Sequence, residues 1–215
     1  MFLDLAGPAG RLEAILAEPE GAAPRFAAVV CHPHPLFGGT MHNHATYRLA
    51  RALVSRGGVT LRFNFRGVGR SEGAHDEGRG EVDDALAAVA FLSDRHPSLP
   101  RWATGFSFGA RIALEAARRD PGVSRALVLG LAVRATPHEF VRDLPLPVAV
   151  IQAEHDELGT PYEVRDLLAG SAGPRRVTVV PGASHLFTED LDALEREVGE
   201  AAAWLLARSR PGSPA

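Results

Sequence analysis

The chain contains no lysine; all 23 of its basic residues are arginine. That absence excludes Schiff-base chemistry, a lysine-bound pyridoxal cofactor and the lysine of a phosphate-binding P-loop. Cysteine is nearly absent too. With Cys31 alone there is no internal disulfide and no all-cysteine zinc site. Cys31 ends the apolar run Phe26 to Val30 and reads as a buried strand residue rather than a reactive thiol. A net charge of −3 offers no electrostatic footprint for nucleic acid or an acidic membrane. No apolar run approaches the ~20 residues that span a bilayer. Met1 to Leu5 lacks a basic leader region and is interrupted by Asp4, so a cytoplasmic location is expected.

What remains is the profile of one soluble globular domain: 215 residues, 46% hydrophobic and 23% charged. Strand-like and helix-like segments alternate, which predicts an α/β layered fold on a mostly parallel sheet. Phe2 to Ala6 and Leu12 to Ala17 read as an opening hairpin. Strands follow at Phe26 to Cys31, Val59 to Phe65, Trp102 to Phe106, Arg125 to Leu131, Val148 to Ala153 and Arg176 to Val180. A helix is expected from an N-cap at Asn43 to Arg56, where Gly57-Gly58 stops it. Others carry Val82, Leu86, Val89 and Leu92, or span Ala110 to Arg118. Thr160-Pro161-Tyr162-Glu163 joins a capping box to a proline at the first helical position. Leu191, Leu194, Val198 and Leu205 mark a last helix. A single domain over residues 1–207 and a frayed tail at 208–215 complete the expected organisation.

Gly105-Phe106-Ser107-Phe108-Gly109 matches G-x-S-x-G, in which a serine sits on a strained turn between a strand and a helix. Alone, five residues in a Gly/Ala-rich chain can recur by chance. A serine hydroxyl is a weak nucleophile and needs an adjacent base, itself oriented by an acid. In a parallel sheet such groups gather beyond the carboxyl ends of the strands. Asp156 lies three residues past Val148 to Ala153, and His185 five past Val180, in the chain order serine, acid, histidine. Glu154 and Glu157 are alternative acids; Asp143 precedes its strand and is a distant one. The backbone N–H of Phe108 is the expected first oxyanion donor. Pro33 and Pro35 carry no N–H, so the second donor comes from His34, Leu36 or Phe37, with His34 preferred. Leu36, Phe37 and Phe106 are candidates for shaping the substrate pocket, and core packing is the competing role for Phe106.

With those blocks in place the chain resembles the small, lid-less, esterase-like bacterial serine hydrolases of the α/β-hydrolase superfamily, over residues 1–207. The resemblance is carried by His32-Pro33-His34-Pro35, Gly38 to Asn43, Phe63 to Ser71, Gly105 to Gly109, Asp156 and Ser184-His185. It implies an eight-stranded sheet flanked by helices, a triad of Ser107, Asp156 and His185, and no cofactor. In many such hydrolases the oxyanion loop begins His-Gly; here Pro33 follows His32. A cap usually inserts after the sixth strand of this fold, and Ala132 to Pro147 is too short to hold one. The expected reaction is cleavage of small carboxylic esters of short acyl chain through an acyl-enzyme, by a monomer or homodimer. Thioesters and small amides are the alternatives, since one triad serves all three.

Two rival readings come from the same residues. His32, His34, His42 and His44 crowd thirteen positions, with His75-Asp76 beyond, and such a cluster can bind a transition metal. Its spacing fits no helical His pair with an intervening glutamate, so capping or pocket-lining roles are preferred. A non-catalytic binding module on the same fold would need none of the triad. Gly67-Val68-Gly69 lacks the third glycine of a dinucleotide fingerprint and reads as a turn beside the site.

Overall fold

The structure is a computed structural model that describes residues 1–208. Past Arg208 the expected tail lies outside the described residues. The strands are β1 (Phe2–Gly7), β2 (Gly10–Ala17), β3 (Phe26–Cys31), β4 (Gly58–Phe63), β5 (Arg101–Phe106), β6 (Val123–Leu129), β7 (Val148–Ala153) and β8 (Arg175–Val180). The helices are α1 (His44–Ser55), α2 (Arg79–Arg95), α3 (Phe108–Arg119), α4 (Pro161–Leu168) and α5 (Leu191–Leu206). All eight strands join one sheet in the order β1-β2-β4-β3-β5-β6-β7-β8. β2 runs antiparallel to β1 and β4, and every pairing from β4 to β8 is parallel.

The central strands are apolar on both sides because helices cover both faces. β3 shows it residue by residue. Ala27, Val29 and Cys31 point into one core layer, with Val82, Val89 and Ile112 of α2 and α3. Phe26, Ala28 and Val30 point into the other, with Leu49 and Leu53 of α1 and Leu194 and Val198 of α5. The Cys31 thiol is fully buried, and desolvation, with the nearby Asp84 carboxylate, pushes its pKa up and keeps it protonated. Arg48 of α1 ties the outer surface together, reaching Asp192 at 2.6 Å and Glu195 at 2.7 Å on α5.

Helix ends follow the expected chemistry. The Asn43 side chain accepts from the Thr46 N–H, and Thr160 and Glu163 form a reciprocal box at the start of α4. Two strand ends differ from expectation for one physical reason. Beyond Phe63, the Asn64 N–H still reaches Glu13 O of β2 at 2.8 Å, but the Phe65 N–H is taken by His32 Nε2 at 3.1 Å, so the strand does not run on to Phe65. Beyond Leu129, Gly130 turns to φ 56° and the Leu131 N–H is taken by Gln152 Oε1. Likewise α3 begins at Phe108, two residues before the expected start, directly after the serine.

β3 lies between β4 and β5, so the crossovers leave it in opposite directions. The resulting crevice sits at the carboxyl ends of β3 and β5, where an open α/β sheet places its ligands. Between β6 and β7 the chain forms only a short 3-10 turn, Glu139–Asp143, and no folded lid. Among the described residues no helix is long and apolar enough to cross a membrane.

Candidate active site

Ser107 ends β5 and precedes α3 with φ 56° and ψ −117°, a region that L-residues rarely adopt. Holding it there costs about 1–3 kcal/mol. The turn is fixed on both sides: the Ser107 N–H donates to Leu129 O at 2.9 Å, and Ser107 O accepts from the Ala110 N–H at 2.9 Å. Gly109 is required by close approach, because a Cβ there would run into the backbone oxygens of Cys31 and His32. That contact presses the start of α3 against the end of β3. A half-buried hydroxyl therefore stands at the top of the sheet, beside the loop that follows β3.

Ser107 Oγ lies 2.8 Å from His185 Nε2, and His185 Nδ1 lies 2.9 Å from each Asp156 oxygen. The partners assign the tautomer: ionised Asp156 only accepts, so Nδ1 carries the proton and Nε2 is free to accept from the serine. Asp156 is buried and saturated with donors. Leu158 N–H donates to Oδ1 at 2.9 Å and Gln152 Nε2 to Oδ2 at 2.8 Å. Chemically, this chain of contacts can strip the hydroxyl proton and stabilise the imidazolium that results. Glu154 is instead engaged by the Gly182 N–H at 2.7 Å, Glu157 is exposed, and Asp143 lies in the 3-10 turn before β7.

The loop bearing His185 is held from below. His155 N–H donates to Ala183 O at 2.9 Å, and Phe187 is fully buried at φ 57°. The Phe106 ring lies 5.4 Å from the His185 ring and 5.9 Å from Phe187. This corrects the expectation that Phe106 shapes a pocket: it alternates inward along β5 into the core beneath the histidine. On the far side, Gly130 leaves room for the imidazole; a Cβ there would come within 3.1 Å of His185 Cε1.

The loop after β3 settles the roles of its histidines by hydrogen bonding. His32 is fully buried; Nδ1 donates to Pro33 O at 2.6 Å and Nε2 accepts from the Phe65 N–H at 3.1 Å. Both ring nitrogens are thus committed to pinning this loop to the one after β4. His34 caps a 3-10 turn, Pro35–Phe37, its Nδ1 accepting from the Leu36 N–H at 3.2 Å. The Phe37 N–H donates to His34 O at 3.1 Å. Of the three candidate donors, Leu36 and Phe37 are therefore occupied. Among the described residues the N–H groups of His34 and Phe108 donate to no protein acceptor, and the two rings lie 4.8 Å apart, tilted by 50°. Leu36 and Phe37 are exposed at the rim. His42 and His44 are exposed at the start of α1, apart from His34 and His75, whose rings are 5.1 Å from each other. No group of three or more metal-ligating side chains is arranged to hold an ion among the described residues.

Burial has an acid-side consequence. Desolvation lowers the His32 pKa from 6.5 to about 4, against a smaller opposing effect of the Pro33 carbonyl. The unfolded chain therefore binds a proton that the folded chain refuses between those two values. Stability from this residue is complete above pH ~6.5 and falls as the pH drops through ~4, by about 3 kcal/mol in total. Thermal melting of wild type against His32→Gln should show a wild-type loss over that window that the variant lacks; parallel curves would remove His32 as the cause.

Sequence reasoning missed Gln152, although a glutamine inside the apolar strand Val148–Ala153 is itself a signal. It also missed the bidentate Arg66–Asp84 pair, 2.8 to 3.0 Å, which anchors the loop after β4 to α2. Asn64 and Ser71 brace the same loop, as the Met41 and Glu13 N–H groups donate to them. The glycine-bearing block Phe63 to Ser71 thus builds a turn beside the site.

Residues 23–145 match the family described as serine aminopeptidase, S33 (Hydrolase_4). The chain belongs to this family of α/β serine hydrolases. The hydrolase is 33% identical to an α/β serine hydrolase homologue from Coxiella burnetii, covering 93% of this chain and 96% of that one with a TM-score of 0.88. It is also 33% identical to a Xanthomonas campestris serine hydrolase described as having no lid, covering 97% and 96% with a TM-score of 0.87. An uncharacterized protein of Rickettsia prowazekii is 34% identical over 205 residues, 90% of the hydrolase and 85% of the relative. The lid-less relative matches the short connection between β6 and β7.

Proposed function

We propose that the hydrolase cleaves small carboxylic esters of short acyl chain through an acyl-enzyme on Ser107. The observation that supports this reading best is the unbroken contact chain from Ser107 Oγ through His185 to buried Asp156, on a backbone held at positive φ. In the proposed cycle His185 Nε2 takes the hydroxyl proton as Oγ attacks the ester carbonyl. Asp156 holds the imidazole in its productive tautomer. The N–H groups of Phe108 and His34 receive the oxyanion, each such donor being worth ~10²–10³ in turnover. His185 then protonates the departing alcohol and activates the water that releases the acid. The short connection between β6 and β7 leaves the serine open to small soluble substrates, and in the proposed reading the enzyme acts as a cytoplasmic monomer or homodimer. The family description favours a second reading, hydrolysis of small amides by the same groups.

The test joins a fluorophosphonate probe to a substrate panel. Ser107 in the folded protein should be labelled, and turnover of 4-nitrophenyl esters should fall as the acyl chain lengthens. Matched thioesters and amides should be slower. An unlabelled Ser107 would overturn the mechanism, and faster amide cleavage would replace the substrate class.

A further inference from the structure

A cavity of about 570 Å³ opens beside His34 and Phe108 and runs outward along α2 and α3. Its walls are apolar near the serine, with Leu36, Val82, Phe108 and Ile112, and Thr136 closes one side. Four arginines line it: Arg79, Arg111, Arg118 and Arg119. Three of them are neutralised locally. Arg79 pairs with Asp76 at 3.0 Å, Arg118 with Glu115 at 2.8 Å and Arg119 with Asp83 at 2.8 Å. Arg111 differs. Among the described residues its guanidinium makes no ion pair and donates no hydrogen bond, although the residue is half-buried.

Its position in the chain makes that charge relevant to the serine. The Arg111 N–H reaches Ser107 O at 3.3 Å, so Arg111 stands four residues along α3, about 6 Å of rise from the nucleophile. A long side chain based there can meet a ligand that has its carbonyl at Ser107 and its far end in the cavity. A guanidinium is a fork of donors matched to a carboxylate, and a partly desolvated one without a counter-charge favours an anion over a neutral group.

We propose that Arg111 is a specificity-determining residue that selects esters carrying a carboxylate a few bonds from the scissile carbonyl. The proposal rests on the ester-hydrolase reading above. The carboxylate can belong to the acyl part, as in a monoester of a short dicarboxylic acid, or to the leaving alcohol.

Two matched pairs distinguish the arms. 4-Nitrophenyl hydrogen glutarate against 4-nitrophenyl pentanoate places the charge on the acyl side; 4-acetoxybenzoate against its methyl ester places it on the leaving group. At low salt, kcat/KM for one anionic ester should exceed that of its neutral partner by about tenfold. Arg111→Gln should remove the preference through KM, and Arg111→Lys should keep part of it. In wild type the preference should shrink between about 10 and about 500 mM salt, a readout that needs no variant to fold. If neither anionic ester is preferred, or the preference survives in folded R111Q or is indifferent to salt, the proposal is overturned. Calorimetric binding of monomethyl glutarate to Ser107→Ala protein separates the two failures. Binding that R111Q abolishes supports Arg111 even where no ester is cleaved, and no binding counts against Arg111 even where neutral esters are.

Discussion

Replacing Ser107 with alanine should lower ester turnover by on the order of 10⁵–10⁶ while leaving the protein folded. The loss removes the attacking oxygen itself, and neither His185 nor the backbone N–H groups can supply another. Alanine keeps a Cβ at φ 56° and so keeps the strain of the turn. Glycine does not. At φ 56° and ψ −117° it releases about 1–3 kcal/mol, less the ~0.4–1 kcal/mol by which glycine loosens the unfolded chain. Ser107→Gly should therefore melt a few degrees above Ser107→Ala, about 2–4 °C per kcal/mol for a chain of this size. Both variants lose the contact to His185, so that term cancels. Calorimetry on the pair, with burst kinetics on 4-nitrophenyl acetate, checks both halves. A burst of wild-type size in either variant, or an alanine variant as stable as the glycine one, contradicts the assignment.

The elements of the sheet could be read from the sequence because their signals are local. β3 is a continuous apolar run, α4 announces itself by Thr160, Pro161 and Glu163, and the G-x-S-x-G turn carries its own glycines. Ser107, Asp156 and His185 could be named because each follows a strand in a parallel sheet, where position along the chain converts to position in space. The structure brings those three side chains into contact. What was not legible depends on partners distant in sequence. Whether Val59 to Phe65 stays a strand to its end is decided by the His32 ring, 33 residues before Phe65. Whether Phe106 lines a pocket or underlies His185 depends on the facing of β5, set by the register against β6. The crowd of histidines after β3 looked like one feature and is several: a pinned His32, a capping His34, and exposed His42 and His44.

Asp156→Asn should cost on the order of 10⁴ in kcat with KM little changed, because Asp156 touches the histidine and no substrate group. The environment makes the isostere unfavourable in either orientation. As it stands, Oδ1 accepts from the Leu158 N–H, Oδ2 accepts from Gln152 Nε2, and both oxygens face His185 Nδ1. An amide must turn its NH₂ toward Leu158 or toward Gln152, donor against donor. Leu158 offers a backbone N–H that cannot reverse. Gln152 cannot turn over freely either, since its Oε1 accepts from the Leu131 N–H and its Nε2 also donates to Gly159 O at 2.6 Å. One buried donor is left without an acceptor, at about 1–3 kcal/mol of stability. The new NH₂ also lies against His185 Nδ1 and drives the proton to Nε2, where it blocks acceptance from Ser107. Activity therefore falls through the tautomer, and stability through the orphaned donor. Steady-state kinetics and denaturant melts on the same preparation separate the two effects. A loss of less than about tenfold in kcat would mean that Asp156 does not orient the base, and Glu154 or Glu157 would have to be tested in its place.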